Sequence, residues 1–229
     1  MKKIFILLLM VLIIIQLNAD ENNAEIIINQ FYEKIIENDF ESLVNLFDWH
    51  IMKYNFQEYL KVVPLISSIS NGTQYPGLNY FNKINMLTKS IHEIETFIFS
   101  LLLPVEYSHL LEGRAYPYPR SNFEILNENE IKTFLGYLDY NRLKNLSIIE
   151  IEIVEPRIQF SEIQKDIIES RKKIYNCSEI IEYSILYIFE GIYYIGGMTL
   201  YRYGEKWYIH TLGSSLLNIN LGKLNKIGE

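Results

Sequence analysis

Apolar residues at Ala24, Ile27, Ile28, Phe31 and Ile35 recur at helical spacing, which predicts an amphipathic helix over residues 24–36. Asn38-Asp39 interrupts the pattern. Asp39 is placed to cap a second helix whose buried stripe is Leu43, Val44, Phe47 and Ile51. Pro64 closes a helical stretch, and Asn71-Gly72 and Pro76-Gly77 are turn dipeptides. A long helix follows, with Ile84, Leu87, Ile91, Ile94, Ile98 and Leu101 on one face until Pro104 stops it. After the loop Tyr116-Pro117-Tyr118-Pro119, a helix capped by Asn127 with Glu130 three residues on carries Ile131, Phe134, Leu135 and Leu138. Residues 64–142 therefore read as a mainly helical insertion.

From Leu146 the period changes to two: Ile149, Ile151 and Ile153 alternate with Glu150 and Glu152, the pattern of a strand with one buried face. A helix opens at Ser161, with Gln164 at the capping-box position and Ile163, Ile167 and Ile174 on its apolar face. Three strands come next, over 179–189, 192–203 and 206–212. Their joints, Glu190-Gly191 and Gly204-Glu205, are short enough only for hairpins, so the sheet is predicted to be antiparallel. Gly196-Gly197 falls inside the middle strand, where a bulge or bend is expected and would make the sheet concave. The expected fold class is α+β, with N-terminal helices and a helical insertion packed on a curved C-terminal antiparallel sheet, as one domain over 20–229.

Residues 1–19 change where such a domain would work. Lys2 and Lys3 precede an apolar run from Ile4 to Ile15, and Ala19 precedes the acidic pair Asp20-Glu21. This is the pattern of a signal peptide and predicts an exported protein, periplasmic or secreted, with an uncleaved anchor as the alternative. The run falls short of the roughly 20 apolar residues of a spanning helix. The single cysteine, Cys177, lies far from the export signal, which excludes a lipoprotein anchor and an intramolecular disulfide.

Removing the two lysines of that segment takes the net charge from −7 to −9. An acidic chain with scattered basic residues lacks the cationic stripe that nucleic acid requires. The one basic run, Arg171-Lys172-Lys173, closes a helix that Asp166 and Glu169 lead, and this order suits the helix dipole.

The first helix, Phe31-Tyr32-x-x-Ile35-Ile36, the break at Asn38-Asp39 and a second helix with Leu43 and Leu46-Phe47 resemble the NTF2-like superfamily. So does the ending Gly197-Met198-Thr199-Leu200 followed by Gly204-Glu205-Lys206-Trp207-Tyr208-Ile209. The resemblance covers residues 24–53 and 179–212 and implies an NTF2-like or cystatin-like fold, in which helices close a cone-shaped pocket over the sheet. Because that superfamily includes isomerases, dehydratases, adaptors and binding modules, the fold alone assigns no activity.

Four histidines are the first candidates for chemistry. His50 lies at helical spacing from Leu43, Leu46 and Phe47, on the wall that would line an NTF2-like pocket, beside Trp49. His210 shares a strand face with Tyr208 and is expected to point away from the face of Trp207 and Ile209. His92 and His109 have no visible partner. No HExxH pair, nucleophile elbow, Walker loop or dinucleotide fingerprint occurs, so neither a metal site nor a cofactor is expected. Tyrosines stand out instead: Tyr183 and Tyr187 share one strand face, Tyr193 and Tyr201 another, and aromatics on a concave sheet suit an apolar ligand or peptide.

The expected function is therefore a non-catalytic binding or interaction module for an apolar small molecule, peptide or protein, with Trp49, His50, Tyr183, Tyr187, Tyr193 and Tyr201 as the ligand-binding set. The alternative is a pocket enzyme of the isomerase or dehydratase kind, with His50 as general base and Tyr183 as hydrogen-bond donor. A homodimer is a third reading, implied by the face-to-face pairing of sheets within the superfamily.

Overall fold

The structure is a computed structural model that describes residues 24–55, 58, 78–104, 128–155, 161–217, 219 and 221–227. The proposed signal segment, the Pro64 region, the turn dipeptides at 71–72 and 76–77, His109 and the Tyr/Pro loop lie outside these residues, as does Asn127.

Helix α1 spans residues 24–37 and buries Ala24, Ile28, Phe31 and Ile35 completely. It ends at Asn38, whose φ of 60° lets the Asp39 amide reach back to the Lys34 carbonyl at 3.0 Å, the six-to-one bond of a Schellman ending. Asp39 then caps the next helix, α2 (Phe40–Leu43), by accepting from the Ser42 amide, and Lys34 holds its other oxygen at 2.7 Å. The Lys34 bond first, and the Ser42 bond next, pull the half-buried Asp39 carboxyl down to about 2.

The expected second helix is broken. Helix α2 is only Phe40–Leu43, followed by 3-10 turns at Val44–Leu46 and Asp48–His50. Between those turns Phe47 is extended and forms a parallel bridge with Ile209. Its ring gains full burial there, and the following residue, Asp48, is carried into the interior.

Helix α3 is Leu78–Leu102. Its buried line differs from the expected stripe: Ile84 and Ile91 are exposed, while Ser90, Glu93, Ile94, Phe97, Ile98 and Leu101 are buried. A buried carboxylate does not appear in a hydrophobic pattern, so the apolar periodicity placed the face too far round the helix. Helix α4, Glu128–Tyr137, leads into a 3-10 segment Tyr140–Asn145 capped by Asp139.

The sheet is antiparallel, ordered β1 (Leu146–Ile153), β2 (Glu179–Phe189), β3 (Ile192–Tyr203), β4 (Lys206–Thr211), with the short β5 (Asn225–Lys226) also paired to β3. Helix α5, Ser161–Tyr175, connects β1 to β2. The β2–β3 turn places both Glu190 (φ 49°) and Gly191 (φ 81°) in the left-handed region, as a two-residue hairpin requires. One sheet face carries Tyr183, Ile185, Tyr187, Met198, Leu200 and Ile209, all buried. Phe97 joins α3 to this core, with ring centroids 5.3 Å from Phe31 and 5.5 Å from Tyr187.

No bulge occurs at Gly196-Gly197, where β2 and β3 stay in register. The glycines serve close approach instead. A Cβ on Gly196 would meet Leu224 and Tyr187, and one on Gly197 would lie 2.7 Å from the Ser214 backbone nitrogen. The bulges lie elsewhere, at Ile149 in β1 and at His210 in β4. The first leaves Ile149 and Ile153 exposed, so β1 lacks the clean alternation of its sequence.

Candidate functional site

Leu200 pairs with Ile209 and Thr199 with Thr211, which leaves His210 as the extra residue of β4. A bulge re-aims the side chain it carries. The His210 ring lies flat on Tyr201, with centroids 3.9 Å apart and planes at 4°, and Tyr175 of α5 meets it edge-on at 4.6 Å. His210 is thus on the face away from Ile209, as expected, yet α5 covers that face and only 7% of the residue is exposed.

Asp48, delivered by the break at Phe47, is fully buried. Its Oδ2 lies 2.9 Å from His210 Nδ1 and accepts from the Tyr203 hydroxyl at 3.0 Å. A carboxylate at that distance fixes the proton on Nδ1, so Nε2 keeps its lone pair and is the nitrogen left for the adjoining cavity. Burial lowers the pKa of His210, and Asp48 opposes it less strongly. Burial thus favours the neutral ring, the form that accepts a hydrogen bond and can serve as a base. Burial, with Asp48 next, also raises Tyr203 above the ordinary tyrosine range and pushes the Cys177 thiol up to about 12. Cys177 is accordingly inert packing rather than a nucleophile.

A cavity of about 330 Å³ opens beside His210. Tyr201 and Thr199 form its floor on the sheet, Arg171 and Tyr175 of α5 one wall, and Lys89 of α3 another. The segment after β4 closes it, and two buried carboxylates hold that segment in place. Glu93 accepts from the Thr211 hydroxyl at 2.9 Å and the Leu212 amide at 2.6 Å. Glu182 accepts from the hydroxyls of Ser214 and Ser215, each at 2.7 Å, and from the Leu216 amide at 3.0 Å. Each carboxylate also faces one cation across 3.4 Å: Lys89 for Glu93 and Arg171 for Glu182.

The six tyrosine, tryptophan and histidine candidates are not brought together. Tyr201 lines the cavity. Tyr183 and Tyr187 are sealed in the core on the opposite face, and Tyr193 is 47% exposed. Trp49 is half-buried and donates its indole N–H to the Val44 carbonyl at 3.0 Å. His50 lies between Trp49 and Tyr208, at 5.3 and 5.6 Å, with Nδ1 buried and unpartnered among the described residues. Asp48, Lys89 and Arg171 were missed. The helical spacing that singles out His50 is interrupted at Phe47, and Arg171 in sequence is indistinguishable from a basic residue that complements the dipole at its helix end. Among the described residues no group of three His, Cys, Asp or Glu side chains could hold a metal ion, and no helix is long and apolar enough to cross a membrane.

No protein-family model and no curated protein sequence matches the chain. It is similar in structure to a cystatin-like protein from Ruminococcus gnavus ATCC 29149, with a TM-score of 0.51 and 16% identity. The match covers 88% of this chain but 39% of that one, so the chain spans about two-fifths of the solved protein's length. At that identity the likeness concerns fold alone: the chain has helices packed on a curved antiparallel sheet, an α+β architecture of the cystatin-like kind.

Proposed function

We propose that this chain is an exported cell-envelope protein, periplasmic or secreted, that holds a small polar molecule in the His210 cavity without transforming it, on an NTF2-like variant of its fold. The observation that carries this reading is the cavity itself: a buried, oriented histidine, two cations and six hydroxyl side chains, two of them tyrosines, converge on a space of about 330 Å³. Ligand pockets span roughly 300–1,000 Å³, so the size suits one compact molecule. The apolar ligand expected from the tyrosines gives way to a polar one, because the core face carrying Tyr183 and Tyr187 is filled by side chains.

The test is native mass spectrometry on the protein isolated from its natural envelope fraction, followed by identification of whatever is released. A reproducible small-molecule adduct, with an N-terminus at Asp20, is the expected result. A bare chain recovered from the cytoplasm would refute the proposal.

A second reading has a specific observation in its favour. The Asp48–His210 pair has the geometry of an oriented general base, so an enzyme of the isomerase or dehydratase kind would use His210 in place of His50. Incubating the protein with excess of its released ligand separates the two. Unchanged ligand supports binding, whereas turnover that His210→Gln abolishes in a folded protein supports catalysis.

A further inference from the structure

We infer that the molecule held in the cavity is a neutral polyhydroxylated compound about the size of one sugar ring; this rests on reading the cavity as a binding site. The hydrogen-bond directions carry the inference. The Thr199 hydroxyl donates to the Gly213 carbonyl at 2.8 Å, Thr211 donates to Glu93, and Ser214 and Ser215 donate to Glu182. A hydroxyl has one proton, so all four have spent theirs within the protein and have only lone pairs left to offer. Ser214 and Ser215 also accept, from the Leu217 amide and from Arg171, so the unused acceptors at this wall are chiefly Thr199, Thr211 and His210 Nε2. The serine and threonine hydroxyls and His210 therefore call for a ligand that donates, while Tyr175 and Tyr201, which also line the cavity, carry phenol hydroxyls able to donate or accept.

The rim does the reverse. Lys89 and Arg171 donate only. Each already faces a buried carboxylate, and Asp48 stands behind a neutral His210, so the fixed charge around the cavity is not positive. An anion would gain little net attraction there, and a cation would meet the two cations first. A hydroxyl both donates and accepts, and a ring bearing several of them satisfies both walls while its C–H edges rest on Ile219 and Leu221. A purely apolar molecule would leave His210 Nε2 and the threonine oxygens dry and unpaired.

The test is isothermal titration of the purified protein with D-glucose, D-galactose, D-mannose and D-glucuronate, at low and high salt. At least one neutral hexose is expected to bind. Its affinity should change less than about twofold with salt, since no net charge is neutralised. The acid should bind at least about tenfold more weakly than that hexose, the factor set by about 1.4 kcal/mol. Lys89→Ala, at a rim position that is partly exposed, should weaken the hexose about fivefold or more through loss of a donor, with the fold intact by circular dichroism. His210→Phe should do the same, and Lys89→Ala keeps the test decisive if that variant fails to fold. Tighter binding of glucuronate, a strong salt dependence, no binding by any hexose, or an unaffected Lys89→Ala variant would each overturn the inference. If the hexoses fail while the natural protein carries another small molecule in this cavity, the polyol assignment falls and the binding reading stands. If the cavity carries nothing, both fall.

Discussion

Replacing Glu182 tests whether one buried carboxylate builds the cavity's closing segment. Its side chain is almost fully buried and accepts from Ser214, Ser215 and the Leu216 amide, with Arg171 at 3.4 Å. In Glu182→Ala the exposed Ser215 hydroxyl returns to water, but the buried Ser214 hydroxyl and the partly buried Leu216 amide lose their acceptor. Each donor left unsatisfied costs about 1–3 kcal/mol, and release of the carboxylate from burial offsets part of the sum. Arg171 is one-third exposed and adds little once solvent screening is allowed for. The expected loss is about 3 kcal/mol, or about 6–12 °C in Tm for a chain of this size. Glu182→Gln keeps one acceptor oxygen and should lose about half as much. Urea unfolding followed by circular dichroism measures both, and hydrogen exchange should show the amides of 214–217 released in the Ala variant. A loss below about 1 kcal/mol for Glu182→Ala, or an equal loss for Gln, would refute the claim that this carboxylate organises the segment.

Other consequences are independent of that one. Because burial holds the His210 pKa below its usual 6.5, the unfolded chain binds the proton more tightly. Stability should be level above that value and decline as pH falls below it, and His210→Gln should remove this component of the pH profile measured by urea unfolding. Gly197→Ala would place a methyl 2.7 Å from the Ser214 nitrogen and 2.9 Å from the Gly213 carbonyl carbon, both backbone atoms. A cost of about 1–3 kcal/mol is expected, and a neutral result in thermal unfolding would mean the segment moves freely. Cys177, with its thiol pushed up to about 12, should resist iodoacetamide at pH 8 in the folded protein and react promptly in denaturant. Fast labelling of the native state would show that the thiol is not sealed.

The strands, the long helix and the antiparallel pairing were legible because they depend on local signals. Alternation over 179–212 and the two short glycine joints leave little choice of topology. Asp39 was likewise readable, since a cap acts on its own neighbours. The site was not legible, and three features explain why. Phe47 leaves the helical pattern to pair with Ile209, so the parity that favoured His50 does not reach it and Asp48 turns inward instead. His210 takes the face its strand parity predicts, but α5 covers that face, a contact that no local pattern in β4 records. Glu93 and Glu182 belong to no motif of the sequence, yet both are buried by donors more than twenty residues away in sequence. Polar sites built from long-range pairs lie beyond periodicity, which records only which face is apolar.

The most direct measurement is a crystal structure of the protein isolated from its natural source with its co-purified molecule retained. Density is expected for one compact molecule between His210 and Arg171, with a donor group within hydrogen-bond distance of His210 Nε2. Density in the apolar groove lined by Phe40, Ile94 and Ile98 instead, or only ordered water beside His210, would contradict that expectation.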